Sequence, residues 1–436
     1  MFKALKKLWN DDRGNILVIG AVTLPLVVGS AGLATDTIQW ALWKRQLQRA
    51  ADSAAMAAVY ERVRAAGETT NVSGVVTRDL ELNQHTGIDL ITGYPKITFP
   101  ADTTDKKRQV YVQLAVKREL TFSSMFMRSP PNIIAGATAA AIPSAEVCVL
   151  GLDRRNVTAL EIGGSTSVNL DKCSGMSNST DPNQAATNVG NGSTFTANKL
   201  MAAGGVQGSK SDKWQVGSYE PATPAIDDPL AALPTPSTCD KTITISDKQQ
   251  DYPIDRSGSG WDDAGKVTCI TGGLDIKGKL TLGSGTYVVN GGDLTMHDSG
   301  TKLICTSCTI ILSNMSNPAA TGNFRMNGGE VSVSAPSSGT YKGVAFYQDR
   351  RATDDNQYST AQNFVNGNSD ASITGAIYTP GRSLKYNGGG GTTGSCMQVI
   401  GKRVSFSGNS KFKLSTECGA NGPPPIQGGQ RIRLVG

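Results

Sequence analysis

The chain has 436 residues, with 42 Lys and Arg against 36 Asp and Glu, 50 Gly, 19 Pro and an aromatic share of only 6%. That length holds two or three domains able to bury a core, and a glycine-rich, aromatic-poor makeup favours turn-dense β structure over a helical enzyme. The net charge of +6 is spread thinly, with no basic block interleaved with aromatics, which excludes a nucleic-acid role; two histidines, His85 and His297, leave almost no material for a Ser-His-Asp triad or a His-rich metal site.

Residues 1–13 read as a cytoplasmic tail carrying Lys3, Lys6, Lys7 and Arg13. From Gly14 to Thr35 there are 22 residues without Asp, Glu, Lys, Arg or His. At about 1.5 Å per helical residue they span roughly 33 Å, enough for a bilayer core. A soluble core helix of that length would show a polar face, and none is present, so 14–35 reads as a transmembrane helix. Pro25 is compatible with this, because neighbours in a membrane helix re-satisfy the freed carbonyl. A cleaved secretory signal is the rival, with Val28-Gly29-Ser30-Ala31 as small residues. The apolar run is long for an h-region and flows into a second helical segment, which favours a retained anchor.

That second segment, Asp36 to Ala66, carries Ala50, Ala51, Ala54, Ala55, Ala57 and Ala58 at helical spacing. Such small side chains admit close approach, either by a partner helix or by the protein's own next domain. Here the motif content becomes specific. Arg13-Gly14-Asn15, Leu24-Pro25, Asp36, then Gln46 to Asp52 including Leu47 and Ala51, and Ala54 to Ala58, resemble the N-terminal module of TadE/TadG-like proteins of the Tad, or Flp, tight-adherence pilus assembly system. Prepilins of that system tend to carry Glu at the fifth position after the processed Gly; here that position is Ile19, which points to the uncleaved, TadG-like branch. The resemblance implies an anchor in the bacterial inner membrane and partners among other Tad pilus assembly or pilin-like proteins, met through this helix.

Residues 36–143 read as the helix extension plus a small pilin-like α/β unit. Lys96–Pro100, Gln109–Val116 and Asn132–Ile142 have strand character, and Phe122 to Met127 is a short apolar turn ended by Pro130-Pro131. The order of these elements also resembles the Tad-type module.

Beyond Pro143 the texture is repetitive. Residues 144–206 hold short apolar alternations such as Val147-Cys148-Val149-Leu150, and 207–264 form a Pro-rich excursion or linker with Pro221, Pro224, Pro229, Pro234 and Pro236. In 265–418 the beads Leu274-Asp275-Ile276, Leu280-Thr281-Leu282, Leu294-Thr295-Met296, Phe324-Arg325-Met326 and Val331-Ser332-Val333 alternate with Gly, Asn and Ser turns. Each places two apolar side chains inward around one polar side chain outward. Such strands are too short for stable hairpins, so the expected fold class is α+β: the N-terminal helix, the pilin-like unit, then an all-β domain built as a right-handed β-solenoid of about six or seven coils. A β-sandwich is the alternative, with strands usually five or six residues long. Residues 419–436 read as a C-terminal tail. Val147 to Asp153 and Gly375 to Pro380 match what some TadG-like proteins would be expected to carry there.

All eight cysteines, Cys148, Cys173, Cys239, Cys269, Cys305, Cys308, Cys396 and Cys418, follow residue 145. An even set in a Gly-rich β region implies disulfides in an oxidising compartment, and places the C-terminal domain in the periplasm or at the surface, with the N-terminus cytoplasmic. Basic flanks on both sides of the helix add only a slight preference for that orientation. Eight cysteines allow 105 pairings; neighbours in sequence (148 with 173, 239 with 269, 305 with 308, 396 with 418) are the simplest set. Cys305 to Cys308 is a C-x-x-C without a second pair or a nearby His, so a disulfide is favoured over a metal, and no cofactor is expected.

Three motifs are set aside. Asp255 to Ser259 imitates a D-x-S-x-S metal motif but lacks the apolar strand that would deliver it, and Gly273 to Lys279 fits G-x-x-x-x-G-K with Leu280 where Ser or Thr should hold magnesium. Asp349-Arg350-Arg351 with Asp354 and Asp355 is the one dense charged cluster that a solenoid acting on polysaccharide could use as paired carboxylates. The expected function is therefore a non-enzymatic, membrane-anchored structural or assembly component of a Tad pilus; the alternatives are an envelope protein that binds or cleaves surface polysaccharide, and an adhesin independent of pili.

Overall fold

The computed structural model describes residues 15–65, 67–82, 89–103, 105–143, 145–208, 212–244, 266–297, 299–353, 363–366, 371–387, 391–394, 396–409, 411–415 and 422–435. Arg13, Gly14, His85, Asp255 to Ser259, Asp354, Asp355 and Cys418 lie outside the described residues. The chain divides into two compact units, Met1–Ile142 with Arg431–Gly436, and Pro143–Gln430. One long apolar helix near the N-terminus, few other helices and a large sheet-rich C-terminal part make up the whole.

In the first unit a single helix, α1, spans Asn15–Arg64. Its first half presents Ile19, Val22, Leu24, Leu26 and Val27 to the outside, with no core to cover them. Its second half buries Leu47, Ala50, Ala51, Ala54, Ala55, Ala58, Val59 and Val63, a stripe at the i, i+3, i+4 spacing of one helical face. Against this stripe lies an antiparallel sheet of β1 (Lys96–Thr98), β2 (Lys107–Lys117) and β3 (Asn132–Ile142). Val110, Val112 and Leu114 from β2, and Ile133, Ala135, Ala137 and Ala139 from β3, supply the facing surface. A short helix, α2 (Val72–Leu82), adds Val72 and Val76 to the same core. Alanine on both helix and strand lets the two backbones come close, so the alanine stripe is taken up by the protein's own sheet. The C-terminal residues, a tail by sequence, supply the fourth strand: Arg431–Leu434 pairs antiparallel with β3 from Ala139 to Ile142. Its Arg-Ile-Arg-Leu alternation is too short to be read as a strand without its neighbour.

The second unit is built from parallel ladders. In the first, Val267–Thr271, Gly285–Asn290, Cys308–Ser313, Val344–Gln348, the end of Ala371–Thr379 and Met397–Gly401 pair in succession. In the second, Lys279–Leu282, Lys302–Cys305, Glu330–Ser334, the start of Ala371–Thr379, Gly391–Gly394 and Lys411–Ser415 do the same. The third runs through Leu274–Ile276, Leu294–Met296, Phe324–Met326, Asn363–Asn366, Leu384–Asn387 and Val404–Ser407. Pairing can be traced round a loop only because two strands, Ala371–Thr379 and Thr194–Ala202, each belong to the first and second ladders at once; the strands do not close into a barrel.

The ladders do not follow chain order. Met397–Gly401, Val404–Ser407 and Lys411–Ser415, late in the chain, pair with Ala145–Gly151, Leu160–Ile162 and Ser167–Asp171, the start of the unit. The early block therefore continues the stack beyond the late block, and the chain must then travel back. Residues 221–240 make that journey along the first ladder. Thr223 N–H donates to Ala202 O, Asn178 exchanges bonds with Ile226 in both directions, Tyr378 Oη–H donates to Asp228, Tyr341 Oη–H to Pro234 O, and Cys239 is bonded to Cys269.

This strap explains a difference in sequence between the ladders. Its Ile226 and Leu230 cover Val288, Ile311, Tyr347, Tyr378 and Ile400, the outward residues of the first ladder. Those strands are therefore apolar on both faces, as in Ile310-Ile311-Leu312. Among the described residues the third ladder has no such cover, and apart from Phe364 it keeps polar outward residues, Asp275, Thr295, Arg325 and Ser405, between inward apolar pairs. Inside, Tyr386 stacks on Phe406 with centroids 5.5 Å apart, and Phe412 meets both edge-on.

Phe406→Ala should therefore lower stability by about 3–5 kcal/mol, whereas Ser405→Ala, one residue away on the outer side, should change it by no more than about 0.5 kcal/mol. Thermal unfolding of the detergent-solubilised protein with both variants side by side checks the assignment of inner and outer faces.

Candidate membrane anchor and assembly site

The apolar half of α1 contains hydroxyls but leaves none unpaired. Thr23 donates to Ile19 O, Ser30 to Val27 O, Thr35 to Ala31 O and Thr37 to Leu33 O, at 2.7–2.9 Å. A segment whose few polar groups bond back to its own carbonyls can sit in hydrocarbon at little cost. Pro25 lies inside this stretch without ending it. By length and composition α1 is a candidate membrane span.

Asp36 marks where the apolar surface ends. It is 2% exposed, and its carboxylate accepts from Phe122 N–H, Ser123 N–H and Ser123 Oγ–H. One carboxylate thus satisfies the amides that open the 3-10 turn Ser123–Met125 and ties that loop to the helix. One turn earlier, the Phe122 ring lies over Gly32, where a Cβ would come within 2.3 Å of the ring. Further along, Lys44 Nζ donates to Ile134 O, and Gln48 Nε2 donates to both Gly136 O and Asp52 Oδ1. These bonds cover the edge of β3 over the residues that Arg431–Leu434 does not reach. Leu47 and Ala51 are buried in the core beneath. Of the motif residues, Asp36, Leu47, Ala51 and Asp52 therefore all serve the seating of the helix on its unit.

In the second unit Cys148 is bonded to Cys173, Cys239 to Cys269 and Cys305 to Cys308. Cys396 is also disulfide-bonded, and Cys418 lies outside the described residues. Gly273 to Lys279 passes through two strand segments, so no helix stands ready to receive a phosphate there.

Asp349, the candidate acid of the charged cluster, is fully buried. It accepts from Arg351 N–H at 3.0 Å, from Arg351 Nε and Nη2 at 3.0 and 2.7 Å, and from Ser313 Oγ at 2.8 Å. Burial by itself would raise its pKa; the bonds from Arg351 and Ser313 outweigh burial and hold the group below its ordinary 3.8. The same arrangement occurs at Asp153, which accepts from Arg155 N–H, Nε and Nη2 and from Arg403 Nε, and is likewise held low. The intervening arginines both reach the strap: Arg154 bonds Asp227, and Arg350 bonds Leu230 O. The signal in the sequence was the repeated Asp-Arg-Arg following a first-ladder strand, at Asp153 and again at Asp349. Sequence reasoning set the second aside as a dense charged cluster that could supply paired carboxylates. It is a corner clamp: the Asp closes the turn, the first Arg holds the strap, and the second Arg neutralises the buried charge.

With this geometry in hand, comparison with known proteins gives one result. Residues 14–65, 52 of 436, match the family model Tad, described as putative Flp pilus-assembly TadE/G-like. This segment carries the Tad domain, and it coincides with α1. No curated protein and no solved structure matches the chain.

A carboxylate held low in the folded state binds fewer protons there than when unfolded. It adds stability above the ordinary value and loses it as pH falls through the lower folded one. The melting temperature should stay level from pH 7 to about pH 5 and drop below about pH 4. Asp349→Asn should cost about 1–3 kcal/mol at pH 7 and make the acid drop shallower, since part of the linked protonation is gone. A thermal-unfolding series across pH on both proteins checks sign and window.

Proposed function

We propose that this protein is a non-enzymatic, membrane-anchored structural or assembly component of a Tad (Flp) pilus system, of the TadG-like kind. The observation that carries the reading is the coincidence of the Tad match with α1, a helix whose first half exposes an uncharged, largely apolar surface and whose second half packs into the core of a folded unit. A helix of this kind holds a body at a fixed place on a membrane. The body works by assembly rather than turnover.

The membrane is the bacterial inner membrane, with the N-terminus cytoplasmic and the C-terminal part periplasmic or surface-exposed; disulfides in the second unit support an oxidising compartment. That second unit is a β-solenoid scaffold. Three parallel ladders with repeating rungs support this over a sandwich, whose strands are antiparallel, and the chirality rule for parallel crossovers supports a right-handed coil. Partners are other Tad pilus assembly or pilin-like proteins, met through the exposed apolar half of α1. For the polysaccharide alternative, Asp349 offers no free carboxylate, since both oxygens are held by Arg351 and Ser313.

Deleting the gene should abolish pili together with surface adherence; normal piliation with lost attachment would instead point to a pilus-independent adhesin. A variant lacking Gly14–Thr35 should leave carbonate-washed membranes and appear in the soluble fraction with its disulfides formed. Its retention in the washed membrane would overturn the anchor. Protease protection in spheroplasts, with thiol labelling before and after reduction, reads orientation and compartment in one experiment.

A further inference from the structure

The loop between β2 and β3 is a small apolar prominence with an ordered backbone. Ser124 N–H donates to Leu120 O, Phe126 N–H to Ser123 O and Met127 N–H to Ser123 O, so it is a wound turn. On that turn Met125 is 77% exposed and Phe126 85%, with Met127 beside them at 42%. Three large apolar side chains presented together on a hydrogen-bonded turn cost free energy in water and call for an apolar partner.

The position of the turn says what that partner is. Asp36 grips the amides of Phe122 and Ser123, and the Phe122 ring rests on Gly32, so the turn is fastened to α1 at the last turn of its apolar span. Above this level the surface changes character: Arg118 stacks on Trp43 with its guanidinium 4.4 Å from the ring, and Lys44 lies on the next position of the helix. Apolar side chains fastened at the end of the apolar span, with an aromatic ring and basic groups about two turns further along the helix, is the order of a surface that enters a bilayer through its headgroups.

We propose that the Phe122–Met127 turn is a second membrane contact, seated in the lipid beside α1, with Met125 and Phe126 among the acyl chains and the Trp43–Arg118 pair at the level of the headgroups. The inference rests on the reading of α1 as membrane-spanning. Two contacts on one body fix its rotation about the helix axis as well as its depth. Asp36 is the hinge pin: its partners among the described residues are Phe122 and Ser123, and it supplies acceptors for the amides that would otherwise enter the interface unpaired.

The test uses the full-length protein in phosphatidylcholine vesicles with one third phosphatidylglycerol, spin-labelled singly through Phe126→Cys, Leu26→Cys or Tyr60→Cys, all exposed positions that tolerate a label. Relaxation by oxygen, which concentrates in hydrocarbon, is compared with relaxation by an aqueous nickel complex. The label at position 126 should show an oxygen-to-nickel ratio near that at position 26 and well above that at position 60. A ratio at 126 equal to that at 60, with 26 in lipid, overturns the proposal while leaving the anchor intact. A label at 126 that is immobilised and shielded from both reagents also overturns it, in favour of a protein partner or a second copy on the turn. Position 26 in water would instead overturn the anchor itself.

Discussion

A single helix here faces two different surroundings, and its ability to do so without a break is the constraint on which the first unit depends. Up to Thr35 α1 has no side it prefers, because every side is apolar and its hydroxyls bond inward. From Leu47 it has one side, the alanine stripe, and that side is occupied by β2, β3 and α2. The switch takes place over about three turns, from Asp36 to Leu47, and polar side chains manage it. Asp36 collects the amides of the 122–123 turn, while Lys44 and Gln48 collect carbonyls of β3. Because hydrogen bonds of the α1 backbone run through this change of surface, the apolar segment and the folded unit are joined by one continuous helix.

The second unit answers a different constraint. Parallel ladders leave an edge at each end and a face on each side, and this chain covers one of those faces with itself. Residues 221–240 bring few apolar groups, yet Ile226 and Leu230 suffice because the first ladder supplies the rest. The strap is held by polar anchors spaced along it: Asn178 at Ile226, Tyr378 at Asp228, Arg350 at Leu230 and Cys269 at Cys239. The two Asp-Arg-Arg corners belong to this system, which is why charge appears there in buried form.

Much of this was legible in the sequence, and the limits have physical causes. An uncharged run of 22 residues and the alanine spacing could be read directly, because both are periodic and local. So could the three-residue beads of the third ladder, where an outward polar residue announces the face. The first-ladder strands gave no such mark, since the strap buries their outward side; nothing in Ile310-Ile311-Leu312 says which residue faces out. The Pro-rich stretch was read as a linker because its own hydrophobicity is low, and several of its partners, Tyr341, Tyr347 and Tyr378, lie more than 100 residues away. The 122–127 turn was visible as apolar, but its fastening to Asp36 spans 86 residues and could not be read from spacing.

The order of strands in the stack sets a schedule for synthesis. Within the second unit residues 145–220 emerge first, yet one of their edges stays bare until strands between Met397 and Ser415 arrive to cover it. Ile426–Gly428 and Arg431–Leu434 pair later still, with the strand at Ala145 and with β3. A growing polypeptide would thus carry an open β edge through most of its passage from the ribosome, and a nascent chain that stalled or was truncated before about residue 400 would be a sticky, protease-sensitive species rather than a shorter version of the same body.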